Sequence, residues 1–272
     1  MNEKSSQVTR YVNLFRRIEN PGTHIRSKLG LLRDDPVEFV LTGGLKVRVP
    51  RKRLCEFKMI VLDDCYLKGF KRGVFAARQP LVVVDVGANL GFFCLYMLSV
   101  FPQARIYGIE PVKANYDFLT ENLRLNEGAE RSVVTVEAAL GSTTGTMTLV
   151  DPAHDQFPTK ASVLDPQREG TRYEVPALSV EGFLTRHNLT EISLLKLDCE
   201  GAEYDIVYHW PPAALRNVQN IAAEVHRGKG ERENIEAFSS FLKQAGFAYC
   251  VSKDRYFVWA SRDPAKLVQQ TS

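Results

Sequence analysis

The chain has 272 residues, of which 44% are hydrophobic and 25% are charged, and its formal net charge is +3. These values are typical of a folded globular protein and exclude a fibrous or mainly disordered chain. The longest nearly apolar run, residues 90–101, is shorter than the roughly 20 residues that a membrane-spanning helix needs. The polar N-terminus lacks the apolar core of a signal peptide, and the five cysteines are scattered without a C-x-x-C pair. We therefore expect a cytoplasmic protein with reduced thiols and no membrane segment.

Residues 1–80 are basic. They carry 17 Lys and Arg against 8 Asp and Glu, whereas residues 81–272 carry 18 against 24. Such an excess indicates either an anionic partner or a solvated basic surface. We predict a separate N-terminal α/β extension over residues 1–80, with a hairpin around Gly43-Gly44. Its predicted elements are a helix over 8–18, strands over 38–41 and 45–49, and a helix over 53–67.

Residues 81–272 alternate strand-like and helix-like patterns, followed by a C-terminal hairpin over 248–251 and 256–260. This alternation predicts an α/β domain with a Rossmann-like, mostly parallel seven-stranded sheet, covered by helices and ending in an antiparallel hairpin. Residues 151–174 lack periodicity and are predicted to form a long functional loop. The other predicted strands are 81–84, 104–109, 132–140, 145–150, 175–178, 192–197 and 220–225. The predicted helices are 90–101, 112–123, 180–187, 202–210 and 235–245.

A glycine turn follows the first of these strands, where residues 85–91 read Asp-Val-Gly-Ala-Asn-Leu-Gly. Gly87 permits a sharp turn, so that a ligand can approach the backbone at Ala88 and Asn89. Gly91 permits close packing at the start of the helix, whose free N–H groups can bind an anion. Asp85 is positioned to accept a hydrogen bond from a ligand ammonium. The G-x-x-x-G spacing is neither a dinucleotide fingerprint nor a phosphate loop.

An acidic residue ends the next strand, since Glu110 comes 23 residues after Gly87 and is followed by Pro111. A carboxylate at this position accepts hydrogen bonds from ribose hydroxyls. After the third strand, small residues and a carboxylate stand where an adenine is expected: Glu137, Ala138 and Ala139. Together with the glycine turn, these features favour S-adenosylmethionine as the cofactor over NAD or ATP.

Four stretches resemble the FkbM family of S-adenosylmethionine-dependent methyltransferases. They are residues 84–92 (VDVGANLGF), 108–111 (GIEP), 195–203 (LKLDCEGAE) and 223–226 (AEVH). The first two resemble many class I methyltransferases, whereas K-x-D-x-E-G-x-E is more specific to this family. The resemblance covers roughly residues 80–250 and implies the class I fold and O-methylation of a hydroxyl on a sugar or another polyhydroxylated natural product. Residues 56–66 resemble the family's lead-in segment, which implies that Tyr66 contributes to the cofactor site.

Ionisable residues converge where two neighbouring strands end. If the strand continues that far, its alternation directs Lys196, Asp198 and Glu200 to one side. Asp198 is expected to face the methyl donor, where it positions the hydroxyl or the donor or acts as base. His226 has the ordinary pKa for a general base near neutral pH. Lys196 is expected to pair with a nearby carboxylate, because an unpaired buried charge is costly.

Three alternatives remain open at this point. Asp198, Glu200, Glu224 and His226 can also bind a divalent ion, but nothing in their spacing requires one, so no metal ligand is predicted. A nucleic-acid or protein methyltransferase is disfavoured, because an [ND]-P-P-[YF] motif is missing and residues 81–272 are acidic. The third alternative is a cofactor-binding domain without catalytic activity.

The substrate is expected to be a small molecule. We expect residues 1–80 and the loop 151–174 to form the acceptor pocket, or residues 1–80 to form a homodimer contact. If the basic residues of 1–80 border that pocket, the acceptor is predicted to carry phosphate, sulfate or carboxylate.

Overall fold

The computed structural model describes residues 3–32, 34–75, 80–152, 155–158 and 169–268. The N-terminal elements are the helices α1 (Glu3–Arg17), α2 (Pro21–Lys28) and α3 (Leu54–Val61), and the strands β1 (Val37–Leu41) and β2 (Leu45–Val49). The expected hairpin and first helix are confirmed, whereas α2 was not predicted. The helix predicted over 53–67 is shorter, since α3 ends at Val61 and Asp64 has a φ of 57°, which a helix does not accommodate.

The remaining elements follow the predicted order. The strands are β3 (Val82–Val86), β4 (Arg105–Ile109), β5 (Val133–Val136), β6 (Ala139–Gly141), β7 (Gly145–Asp151), β8 (Thr171–Ser179), β9 (Leu194–Leu197), β10 (Asn220–Glu224), β11 (Ala248–Val251) and β12 (Phe257–Ser261). The helices are α4 (Phe92–Val100), α5 (Lys113–Arg124), α6 (Ala129–Ser132), α7 (Val180–Arg186), α8 (Glu203–Tyr208), α9 (Pro212–Leu215) and α10 (Ile235–Gln244). The short helices α6 and α9 were not predicted.

A seven-stranded sheet with the order β11-β12-β10-β9-β3-β4-β5 forms the centre of the fold. The five strands from β10 to β5 are parallel, and β12 and β11 add the antiparallel edge. The predicted Rossmann-like sheet is therefore confirmed. Successive strands first run outward from β3 to β5 and then resume at β9, on the other side of β3. Ligands of such sheets bind at this switch point, beyond the carboxyl ends of the strands.

A second sheet corrects two predictions. The strand expected over 132–140 is divided after Val136, so that β5 belongs to the central sheet while β6 joins a three-stranded sheet with the order β6-β8-β7. The loop expected over 151–174 is shorter, because β8 begins at Thr171 and pairs with β7. Residues 153–154 and 159–168 of that loop lie outside the described residues.

The N-terminal hairpin contacts the body of the fold through two asparagines, Asn122 of α5 and Asn126 just after that helix. Asn126 accepts a hydrogen bond from the backbone N–H of Lys46 (2.7 Å) and donates one to its carbonyl (2.8 Å). Asn122 makes the same pair of bonds with Arg48, at 2.8 and 3.1 Å. These side chains therefore take the place of a neighbouring strand along β2.

Backbone groups on the outer edge of β1 also have hydrogen-bond partners. Glu19 donates from its backbone N–H to the carbonyl of Val40 (2.7 Å), and the N–H of Val40 donates to the side chain of Asn20 (2.8 Å). Apolar residues of the hairpin and of α3, such as Phe39 and Phe57, pack in one hydrophobic cluster with Phe93 of α4. Residues 1–80 and the sheet domain thus share a core. Within the described ranges, no helix is both long enough and apolar enough to cross a bilayer.

Candidate functional site

A cavity of about 240 Å³ lies at the switch point, beyond the carboxyl ends of β3, β4 and β9. Most of the predicted site residues line it: Tyr66, Gly87, Ala88, Asn89, Glu110, Pro111, Ala138, Ala139, Lys196, Asp198 and Glu200. Four predicted residues do not: Asp85, Gly91, Glu137 and His226. The cavity therefore brings most of the predicted site residues together, whereas these four residues have other surroundings.

The turn after β3 touches the end of β9. Gly87 has a φ of 77°, and a Cβ placed on it would lie 1.8 Å from the backbone oxygen of Asp198. No side chain fits this contact, so a glycine is required here for packing as well as for conformation. Gly91 has a φ of 82° and begins α4, where a Cβ would lie 2.5 Å from Leu119. Gly91 thus permits the close packing that was predicted for it.

Glu110 is 4% exposed and lines one end of the cavity. Its carboxylate accepts hydrogen bonds from the backbone N–H groups of Asn89 (2.9 Å) and Val112 (3.0 Å), and from the side chain of Asn115 (3.3 Å). Burial raises the pKa of Glu110 to about 7, although these hydrogen bonds act in the opposite direction. Since each carboxylate oxygen can accept more than one hydrogen bond, Glu110 retains capacity to bind a hydroxyl donor.

Two further acceptors beside Glu110 have no hydrogen-bond partner within the described part of the chain. They are the buried side-chain oxygens of Asn89 and Asn115, and both residues line the cavity. The amide nitrogen of Asn115 is already engaged by Glu110 and by the carbonyl of Pro158 at 2.9 Å, so its oxygen is free to accept. Buried polar atoms in folded proteins are nearly always paired. A ligand with several donors at this end of the cavity would satisfy both oxygens.

Asp85 lies behind the cavity wall rather than on it. Its side chain is fully buried and forms an ion pair with Lys196, whose Nζ lies 3.0 Å from Oδ1. The same Nζ donates to the carbonyl of Gly87 at 2.7 Å. Burial alone would lower the pKa of Lys196, but the charges of Asp85 and Asp198 raise it. The expectation that Lys196 pairs with a carboxylate is confirmed, whereas the position expected for a ligand ammonium on Asp85 is taken by Lys196.

Asp198 leaves the sheet just after β9, and its Oδ2 accepts a hydrogen bond from the phenol of Tyr66 at 2.5 Å. Burial and the charge of Asp198 raise the pKa of Tyr66 well above its ordinary value, so Tyr66 remains a neutral donor. The predicted alternation ends here, because β9 stops at Leu197 and Glu200 has a left-handed φ of 52°. A tight turn, and not a straight strand, brings Glu200 to the cavity.

His226 follows β10 and points to two carboxylates. Its Nδ1 lies 2.9 Å from Glu203, which is fully buried, and its Nε2 lies 3.6 Å from Glu200. Burial alone would lower the pKa of His226, but the hydrogen bond with Glu203 and the charges of Glu203, Glu200 and Asp198 raise it to about 10. In this arrangement the imidazole keeps its proton at neutral pH and has no free lone pair. The general-base prediction depended on an ordinary pKa for His226, and the raised pKa contradicts it.

Several lining residues were not among the predicted site residues. Glu224, the last residue of β10, lines the cavity, and burial followed by the charge of Asp198 raises its pKa to about 7. Its position beside His226 at a strand end had marked it as a possible ligand of a divalent ion, but not as a catalytic or cofactor-binding residue. Glu56 and Asn115 come from the helices α3 and α5, where spacing gives no such signal. Glu137 is half-buried outside the lining residues, while Ala138 and Ala139 line the cavity as expected.

The cavity is acidic. Its lining contains the carboxylates of Glu56, Glu110, Asp198, Glu200 and Glu224. Of the described lining residues, Lys196 is the one with a positive charge, and those from residues 1–80 include no Lys or Arg. The described residues therefore do not support an anionic acceptor, which stays a prediction.

Comparison with known proteins identifies the family of the chain. Residues 85–249 match the family described as the methyltransferase FkbM domain. Methyltransferase sdnD of Sordaria araneosa is 30% identical over 231 residues, covering 73% of this chain and 83% of the relative. The 31-O-demethyl-FK506 methyltransferase FkbM of Streptomyces tacrolimicus is 24% identical over 225 residues, covering 74% of this chain and 84% of the relative.

Among solved structures, the methyltransferase FkbM from Methylobacillus flagellatus KT has 14% sequence identity and a TM-score of 0.45, and the match covers 77% of this chain and 54% of that one. This similarity is distant, and no functional assignment is based on it. The match over residues 85–249 extends across more than half of the chain, and it includes the glycine turn, Glu110 and the acidic strand ends. The chain therefore belongs to the FkbM family of methyltransferases.

Proposed function

We propose that the protein transfers a methyl group from S-adenosylmethionine to a hydroxyl of a sugar or another polyhydroxylated small molecule. The observation that carries this proposal is the division of one cavity into two ends. Glu110 and two unpaired amide oxygens lie at one end, and Asp198, Glu200 and Glu224 lie at the other.

The first end fits a nucleoside. The carboxylate of Glu110 can accept hydrogen bonds from two ribose hydroxyls, as acidic residues at this strand end do. The free oxygens of Asn89 and Asn115 can accept further hydrogen bonds from the same ligand. Ala138 and Ala139 leave room for a flat base beside β6. The hydrogen-bond acceptors of this end are therefore complementary to the donor groups of an adenosine.

The acidic end fits the reacting groups. When bound, S-adenosylmethionine supplies a methyl group on a positively charged sulfur. Asp198 is held by Tyr66 and can accept the hydrogen bond of an incoming hydroxyl, so that its carboxylate orients the acceptor oxygen and takes the proton. Orientation of this kind can contribute ~7–11 kcal/mol to lowering a barrier, and a positioned base adds about 10²–10⁴-fold.

A hydroxyl acceptor is also supported by a relative. The name of the Streptomyces tacrolimicus protein specifies methylation at an oxygen. In this chain the wall opposite the glycine turn comes from the segment before β3, through Met59, Ile60 and Tyr66. We therefore divide the chain into a cofactor-binding domain over 81–272 and an extension over 1–80 that forms part of the acceptor pocket.

Calorimetry with S-adenosylhomocysteine tests the cofactor half of the proposal. We expect one binding site in the wild type and a loss of binding in Glu110→Ala. Labelled methyl transfer then tests the acceptor half, with polyhydroxylated small molecules, nucleic acid and protein offered in parallel. Label in the small-molecule fraction supports the proposal. Label in nucleic acid or protein alone, or cofactor binding without transfer to any acceptor, would overturn it.

A further inference from the structure

Three side chains with different donor atoms meet at the acidic end of the cavity. They are Asp198, Glu200 and His226, and one ligand atom from each lies within 4.8 Å of the other two. Asp198 and Glu200 line the cavity, while His226 stands behind them. Two carboxylates and one imidazole form a donor set that suits a divalent ion bound mainly by oxygen.

The imidazole is oriented by a residue outside this trio. Glu203 accepts hydrogen bonds from the backbone N–H groups of Cys199 and Gly201, each at 2.9 Å, and is fully buried. The carboxylate is thereby fixed, and its contact with Nδ1 of His226 directs Nε2 towards Glu200. Histidines that bind metals usually donate their other N–H to such a carboxylate, which orients the ring and increases its basicity.

The two carboxylates are also held in place. One oxygen of Asp198 is bound by Tyr66 at 2.5 Å, and this contact fixes the orientation of its carboxylate. Glu200 adopts a left-handed backbone, followed by Gly201 with a φ of 106°, and this turn directs its side chain back towards His226. Glu200 is 28% exposed, so a hydrated ion can reach it from solvent.

Charge balance points the same way. Asp198, Glu200, Glu203 and Glu224 bring four carboxylates to this end of the cavity. Lys196 lies 3.9 Å from Asp198, but its Nζ is closer to Asp85, at 3.0 Å. Within the described residues, Lys196 and the protonated His226 lie beside these four carboxylates. A divalent ion between Asp198, Glu200 and His226 would add positive charge where the carboxylates gather.

We propose that Asp198, Glu200 and His226 bind one divalent cation, such as Mg²⁺ or Mn²⁺, beside the acceptor. On binding, the ion displaces the proton of Nε2 to solvent and takes the lone pair set free. It also takes one oxygen from each carboxylate, and it keeps open positions on the cavity side. A hydroxyl that would occupy one of these positions would lose its proton to the Asp198 carboxylate more easily, because the cation would stabilise the alkoxide. This catalytic part rests on the proposed methyl transfer, whereas cation binding itself does not.

Binding of Mn²⁺ to the full chain without cofactor, followed by electron paramagnetic resonance, tests the site. We expect one bound Mn²⁺ in the wild type and affinity lowered by at least about tenfold in Glu200→Gln and in Glu203→Gln. His209→Ala is the matched control, because His209 also contacts a carboxylate, Asp205 at 3.0 Å, but is exposed and away from the cavity. It should bind Mn²⁺ like the wild type.

Circular dichroism of each variant verifies that it is folded before its affinity is interpreted. Absence of Mn²⁺ binding at millimolar concentration, or equal binding in the wild type and Glu200→Gln, would overturn the proposal. If methyl transfer is undiminished in EDTA, the cation has no catalytic role, and the proposed function is still supported. Mn²⁺ binding that depends on Glu200 without transfer to any hydroxyl supports the site and contradicts the proposed function.

Discussion

The phenol of Tyr66 donates a hydrogen bond to Asp198 across 2.5 Å, and this bond connects the segment before the sheet to the strand end that faces the cavity. Removing it in Tyr66→Phe frees the Asp198 carboxylate to rotate. Because hydrogen bonds to charged groups contribute about 1.5–3 kcal/mol, we expect kcat to fall by roughly 10–100-fold while S-adenosylhomocysteine affinity stays nearly unchanged. Steady-state kinetics and calorimetry measure the two effects.

Tyr96→Phe is the matched control. Tyr96 is also a buried tyrosine that donates to an aspartate, Asp64, at 2.7 Å, but it does not line the cavity. Its substitution should lower the free energy of unfolding and leave turnover intact. Equal losses of kcat in both variants would show that Tyr66 acts through stability alone.

Cofactor affinity should depend on pH through Glu110. Its pKa is raised to about 7 by burial, so at pH 7 about half of the molecules carry a proton on this carboxyl. Ribose hydroxyls donate to the carboxylate and favour its charged form, so binding should release about half a proton and strengthen as the pH rises from 6 to 8. Calorimetry in buffers of different ionisation enthalpy measures the release. Glu110→Gln should bind weakly with no such pH dependence; an unchanged slope in this variant would assign the proton to another group.

A comparison of Gly87 with Gly44 distinguishes the effect of an unfavourable backbone conformation from the effect of a steric clash. Both have a positive φ, at 77° and 76°, but a Cβ meets nothing within 4 Å at Gly44 and lies 1.8 Å from the Asp198 oxygen at Gly87. Gly44→Ala should cost about 1–2 kcal/mol of stability and preserve cofactor binding. Gly87→Ala must also displace the backbone after β9, so it should destabilise the protein further and abolish binding. Urea denaturation and calorimetry distinguish the two, and similar behaviour of the variants would contradict the contact.

The buried pair of Asp85 and Lys196 should be strongly asymmetric in its response to substitution. Lys196→Met leaves a fully buried carboxylate without its cation, which we expect to cost about 3–5 kcal/mol of unfolding free energy. Replacing both residues, as Asp85→Leu with Lys196→Met, removes that unpaired charge and should recover part of the loss. Urea denaturation of the three proteins measures this coupling. A double variant no more stable than Lys196→Met would contradict it.

Most of the site residues predicted from local patterns line the cavity because these residues follow strand ends. Gly87, Glu110 and Asp198 each come directly after a run of buried residues, and parallel strands bring such positions to one edge. The pairing of Asp85 with Lys196 is different, since the two residues are separated by 111 positions and only strand order makes β3 and β9 neighbours. Spacing alone does not show that a lysine will neutralise Asp85 before a ligand arrives.

Other features depend on tertiary contacts that no local pattern encodes. Residues 132–140 contain β5 of the central sheet and β6 of the three-stranded sheet. Because the pattern of apolar residues is the same in both strands, the sequence does not show the break at residues 137–138. The raised pKa of His226 results from Glu203 and Glu200, whose positions depend on a left-handed residue after β9. A histidine at a strand end was predictable; its two carboxylate neighbours were not.

The side-chain pairing along β2 has a consequence for the behaviour of the chain in concentrated solution. An open strand edge offers unpaired N–H and C=O groups to any other polypeptide and is a route to aggregation. Here Asn122 and Asn126 occupy that edge, and residues 17–20 occupy the opposite one. The two-stranded hairpin thus remains closed to intermolecular pairing only while α5 stays docked against it. Loss of either asparagine would leave backbone groups of β2 unpaired and open to hydrogen bonding with another chain.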